Sequence, residues 1–136
     1  MKKFCLYVLT PVLSFLGGFY AYIWTTEHYW QQEVGNGDAI SVIVVAGLAF
    51  VSIMLPMYFW MIEVIDEKFS HFKLFLYPLV CMLIFFLPVL LVMAIWGGSS
   101  VFSAESLLFY AFFLASGFIF GVLNWLFKRI WASSKN

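Results

Sequence analysis

The chain has 136 residues, of which 65% are apolar and 10% charged, and its seven Lys plus Arg balance seven Asp plus Glu. Ordinary globular domains are about half apolar and about a quarter charged, and a soluble protein this small needs a polar surface that these residues cannot build. The composition excludes a soluble enzyme, a nucleic-acid binder with a basic face and a disordered tail, and places the chain in a lipid bilayer.

Crossing a bilayer core takes about 20 consecutive, mostly apolar residues per helix. Four stretches meet that length: Phe4–Trp24, Ala39–Ile62, Leu74–Trp96 and Leu107–Phe127. None contains Asp, Glu, Lys, Arg or His. At about 1.5 Å per residue each is long enough to cross. Barrel strands would be shorter and would alternate polar with apolar residues. The expected fold is all-α: a single polytopic membrane domain of four transmembrane helices in an up-down bundle. Lys2 and Lys3 open the chain as a signal peptide would, but the apolar stretch is long and no small-x-small cleavage site follows, so the first helix is expected to be retained.

The connections orient the bundle. Lys2 and Lys3 precede the first span, Lys68 and Lys73 lie in the second connection, and Lys128, Arg129 and Lys135 follow the fourth span. The first and third connections hold no Lys or Arg; they carry Glu27, Glu33, Asp38 and Glu105. The positive-inside rule then puts both termini and the middle connection in the cytoplasm of a cell (inner or plasma) membrane protein. Aromatic residues fit two headgroup belts, with Tyr22, Trp24, Tyr29, Trp30 and Trp96 at the outer boundary and Tyr58, Trp60, Tyr77, Trp125 and Trp131 at the inner one.

Asp38, behind the turn made by Gly35 and Gly37, suits the N-cap of the second helix, and Ser103 that of the fourth. Pro88 falls in the middle of the third span. It should kink that helix, because proline removes a backbone donor and its ring clashes with the preceding turn.

Packing signals concentrate on the fourth span, where Tyr110, Leu114, Gly117, Gly121, Asn124 and Lys128 recur at helical spacing. The Gly117/Gly121 pair permits close backbone approach, and Asn124 one turn on needs a hydrogen-bond partner in a dry setting. Ser14 with Gly18 and Gly17 with Ala21 in the first span, and Ala46, Gly47, Ala49 and Ser52 in the second, offer matching small residues. Gly117, Gly121 and Asn124 are therefore candidates either for packing inside one bundle or for the interface of a homodimer.

Chemistry-bearing motifs are absent. There is no nucleophile elbow, zinc-protease helix, phosphate loop or dinucleotide fingerprint, and Cys5 and Cys81 form no metal or redox pair. In the second connection Glu63, Glu67 and His71 would share one face if the helix continued past the membrane, with Asp66 beside them, but a solvated charged connection is the simpler reading. No cofactor, metal or catalytic residue is assigned. In length and span number the chain resembles the small four-span multidrug exporters, and small fluoride-channel proteins share its size. Those exporters carry a Glu in the first span that is missing here, and no run of residues matches the fluoride channels, so no family is assigned.

Two functions remain. One is a non-catalytic protein that works by helix-face and loop contacts with another membrane protein or a membrane-targeted toxin, as an accessory, regulatory or immunity factor. The alternative is a homodimeric channel or carrier for a small solute. For the first, the outer connection supplies recognition candidates in Glu27, His28, Tyr29 and Trp30, since exposed aromatics beside charge are common at recognition surfaces. The expected partners are the lipid bilayer and a membrane protein, toxin or second copy, with no nucleic acid.

Overall fold

In the computed structural model, the described residues are 1–31, 33, 35–84, 86–96 and 104–134. Backbone alone is described for Asn36, Asp38, Trp96, Ala104 and Glu105. All regular structure among these residues is helical. Helix α1 is Lys2–Tyr29; α2 covers 36–68; α3 is Lys73–Leu83; α4 is Phe86–Trp96; α5 is Ala104–Ser133. With α3 and α4 as the two halves of one span, four helices are long and apolar enough to cross a membrane, with mean hydropathies of 1.7, 2.5, 2.8 and 2.1 in chain order.

The helices outrun the apolar stretches. Helix α1 continues five residues past Trp24 to Tyr29, and α2 runs past Ile62 to Lys68. Once a helix is nucleated in an apolar setting, each added residue gains a backbone hydrogen bond, so it extends into the polar flank until a breaker intervenes. For α1 the stop is at Gln31, with φ at 53°. For the turn into α3 it is Phe72, with φ at 62°. Helix α2 opens at Asn36, with extended Gly35 as its N-cap. Asp38 thus lies in the first turn rather than ahead of it, and its side chain, like the whole of Ser103, lies outside the described residues.

Three prolines mark departures from α geometry by one rule. A proline has no N–H for the carbonyl four residues back and crowds it sterically. For Pro11 that carbonyl belongs to Tyr7, the middle residue of a π turn at Cys5–Leu9, where Thr10 N–H reaches back to Cys5 O instead. For Pro56 it belongs to Ser52, the middle of a second π turn at Phe50–Met54 closed by Leu55 N–H to Phe50 O. For Pro88 it belongs to Ile84, where the backbone leaves helical geometry at φ −88°, ψ 9° and α3 ends. The departure at Ile84 thus stands four residues ahead of Pro88. Helix α3 passes through Pro78 unbroken.

Helix α5 is the hub, with α1 on one side and α3 on another. Against α1, a Cβ on Gly18 would stand 2.8 Å from the Phe112 carbonyl oxygen and 3.1 Å from Ser116 Cβ. Against α3, a Cβ on Gly117 would stand 2.7 Å from the Cys81 carbonyl oxygen. Small residues let these backbones approach, and the gain is dispersion contact that lipid could not match. Helix α2 contributes a buried stripe, Val42, Ala46, Ala49, Met54, Tyr58, Ile62 and Ile65, at three- to five-residue steps. Tyr58 packs on Phe120 with ring centroids 4.6 Å apart, and its hydroxyl pairs with Ser116 Oγ at 3.4 Å.

Three belt assignments need correction. Tyr22, Tyr58 and Tyr77 are core residues rather than headgroup anchors. A tyrosine ring can be buried when its hydroxyl finds a partner, and Ser116 and Asp66 supply partners to Tyr58 and Tyr77. Trp24, Trp60 and Tyr29 are exposed, as belt residues must be.

Candidate functional site

Gly117, Gly121 and Asn124 all lie on the buried side of α5. A Cβ on Gly121 would overlap the Pro78 backbone nitrogen, so the two glycines receive α3 of the same chain. This face is therefore spent on the fold, and a homodimer would need a different surface. Asn124, 2% exposed, sits one turn beyond.

Seven residues after Gly121, two helical turns on, the same face delivers Lys128 to a polar cluster. Asp66, in the last turn of α2, is its centre. Its Oδ1 accepts from Lys73 Nζ at 2.9 Å and from the Tyr77 hydroxyl, and its Oδ2 accepts from Lys128 Nζ. Lys128 Nζ also lies 3.5 Å from the Tyr77 hydroxyl and 5.3 Å from the centre of its ring. The next residue, Arg129, stacks its guanidinium over Trp125 at 5.0 Å. Asp66, Lys73, Tyr77, Trp125, Lys128 and Arg129 line a cavity of about 210 Å³. The cluster joins the end of α2, the start of α3 and the end of α5.

Glu63, Glu67 and His71 are the residues of this connection expected to share a face if the helix continues. Helix α2 stops at Lys68, so His71 does not share its face, and all three side chains are exposed. Asp66 is the carboxylate the fold uses. The available signal was the pairing of Lys73 with Tyr77 one turn apart and the place of Lys128 on the Gly117/Gly121 face. Among the described residues, no group of three His, Cys, Asp or Glu converges to hold a metal.

Outer-connection candidates are arranged differently from a loop. Glu27, His28 and Tyr29 form the last turn of α1 and are exposed. His28 Nδ1 lies 3.1 Å from the Trp24 carbonyl, and its ring stacks on Trp24 at 4.8 Å. Trp30, at the helix end, is half-buried against the core, and its indole Nε1 is buried with no hydrogen-bond partner among the described residues.

A concave feature larger than the cavity at Asp66 lies elsewhere, between α1 and α2. It is a laterally open groove of about 580 Å³, walled by Val8, Val12 and Leu16 on one side and Val44, Gly47 and Val51 on the other. Tyr7 is the only lining side chain, among the described residues, that carries a polar atom. Both π turns contribute to its wall, through Tyr7 and Val8 and through Phe50 and Val51. π turns recur at functional positions in helices. A Cβ on Gly47 would meet only the Phe15 ring, at 3.7 Å. Phe15 closes the floor of the groove by packing edge-on against Phe50 and Phe112.

The chain matches no protein-family model, and neither a curated protein nor a solved structure shows significant similarity to it.

Proposed function

We propose that the chain is a non-catalytic integral membrane protein that acts by lateral contact, receiving an apolar transmembrane helix of another membrane protein in the groove between α1 and α2. In this reading the four spans form an up-down bundle in a cell membrane with both termini cytoplasmic, and the role is accessory, regulatory or of the immunity type. The groove carries the proposal. It is long, apolar and open sideways, which suits a helix packing by dispersion better than a solute that must pass from one side to the other. Gly47 in the α2 wall favours a close-approaching helix, because a missing side chain admits a neighbouring backbone.

The solute-carrier alternative relied on a homodimer through α5, and Gly117 and Gly121 are taken up by α3. The buried hydroxyls of Ser14 and Thr26 are bonded to carbonyls of their own helix, which favours a packed interior over a polar path.

The test is co-purification from native membranes. Gly47→Phe and Val51→Trp fill the groove from its open side. The wild-type chain is expected to bring down a membrane protein in fixed stoichiometry, and both variants to lose it while keeping their thermal unfolding midpoint. Retention of the partner by both variants, or solute flux through liposomes containing the purified chain alone, overturns the proposal.

A further inference from the structure

The cavity beside Asp66 has an imbalance that its internal pairing does not remove. Three cations, Lys73, Lys128 and Arg129, face one carboxylate, and neither Glu63 nor Glu67 lines the space. Asp66 engages the two lysines, whereas Arg129 lies over the Trp125 ring. Its guanidinium is left with hydrogen-bond donors for an incoming anion, and a planar fork of donors suits phosphate.

Directly alongside is a second depression of about 390 Å³, lined by Trp125, Leu126, Arg129, Ile130 and Ser133. It shares Trp125 and Arg129 with the charged cavity, and its Leu126 and Ile130 side chains are exposed. A cationic cavity and an apolar flank thus meet along one edge of α5, at the end of a membrane-crossing helix. That polarity pattern is amphipathic in the same sense as a phospholipid.

We propose that these two depressions form one binding site for an anionic phospholipid. The phosphate sits between Lys128 and Arg129, and the glycerol and first chain methylenes lie against Trp125 and Leu126. The shared chemistry is recognition of a phosphate, and the apolar flank selects its source, because a free phosphate ion gains nothing from Leu126. The excess positive charge selects among lipids. A zwitterionic headgroup brings an ammonium into a site that already holds three cations, and an anionic one does not. Basic pockets between helices at one membrane face are established binding sites for acidic headgroups. Asp66 has a positioning role here: it pairs with both lysine ammonium groups at the cavity wall.

The experiment is native mass spectrometry of the full chain released from detergent with equal amounts of phosphatidylglycerol and phosphatidylcholine. Phosphatidylglycerol is expected to be retained over phosphatidylcholine by at least about fivefold, the effect of one basic residue near an anionic surface. Arg129→Gln is expected to lower phosphatidylglycerol retention by about the same factor and leave phosphatidylcholine unchanged, and Arg129→Lys, which keeps the charge but not the planar fork, to restore only part of it. Leu126→Asn reads the same site from its apolar half and is also expected to lower retention, so the result does not rest on the folding of one variant. Equal retention of the two lipids, or retention unaffected by both Arg129→Gln and Leu126→Asn, overturns the site. Displacement of phosphatidylglycerol by millimolar inorganic phosphate overturns the lipid as its occupant.

Discussion

Gly121 lies directly against Pro78: a Cβ built on it would stand 2.5 Å from the Pro78 Cα and 2.6 Å from the Tyr77 carbonyl carbon. Those are backbone atoms, which cannot rotate aside as a side-chain tip can. The approach holds α5 on α3, and two turns further along α5 it carries Lys128 to Asp66. One missing side chain in the bundle thus sets the geometry of a charged cluster at its end.

Alanine substitution of the glycines should therefore rank by what each Cβ meets. Gly121→Ala and Gly117→Ala, facing backbone, are expected to cost about 1–3 kcal/mol each, the usual range for overpacking. Gly17→Ala meets only the movable tip of Ile119 and should cost less, and Gly47→Ala should be near neutral. Thermal or denaturant unfolding in detergent checks the order. A Gly47 variant less stable than the Gly121 variant would contradict the packing described.

Asn124 is buried next to this contact. Asn124→Leu is expected to cost about 0.6 to 2 kcal/mol, the range for an interhelical polar contact in a membrane protein. An unchanged unfolding midpoint would show that its amide makes no such contact.

Asp66→Asn removes the carboxylate from two ammonium groups and leaves Lys73 and Lys128 repelling each other. The side chains are about a third exposed (33% for Asp66, 31% for Lys73 and 35% for Lys128), so screening keeps the loss near about 1 kcal/mol. Salt supplies the diagnostic. Raising ionic strength should destabilise the wild type toward the variant and narrow the gap between them. A gap that is independent of salt would mean that packing, not charge, is responsible.

Tyr29 and Trp30 should respond differently, although they are adjacent. Tyr29 is 72% exposed, so Tyr29→Ala is expected to leave stability within about 0.5 kcal/mol of wild type. Trp30 packs against the core, and Trp30→Ala should cost several-fold more through lost burial. Partner capture after Tyr29→Ala alone then reports on recognition without a stability artefact. Equal unfolding midpoints for the two variants would contradict the placement of Trp30.

Orientation is tested by reporters. A reporter active only in the cytoplasm is expected to work when fused at Asn136, and one active only outside the cytoplasm to work when inserted near Gly35. The reverse pattern would overturn the topology drawn from the Lys and Arg distribution.

Composition and hydropathy alone determined that this chain is helical and has four segments able to cross a membrane. They could do so because both features depend on local properties: length of an apolar run and absence of charge. Helix ends were less legible, because Glu27, His28 and Tyr29 are polar enough to read as a loop yet continue the hydrogen-bonded ladder of α1. Only the tertiary structure decided that Gly117 and Gly121 serve the chain's own third span, since a small-residue face looks the same whether its neighbour is the same chain or another. It alone selected Asp66 over Glu63 and Glu67 and turned Tyr58 and Tyr77 from expected belt residues into core, because those outcomes depend on which side chains residues 11 to 62 positions away bring to meet them. The groove between α1 and α2 was invisible for the same reason: each wall is an ordinary apolar helix face, and only the distance between the two makes a space.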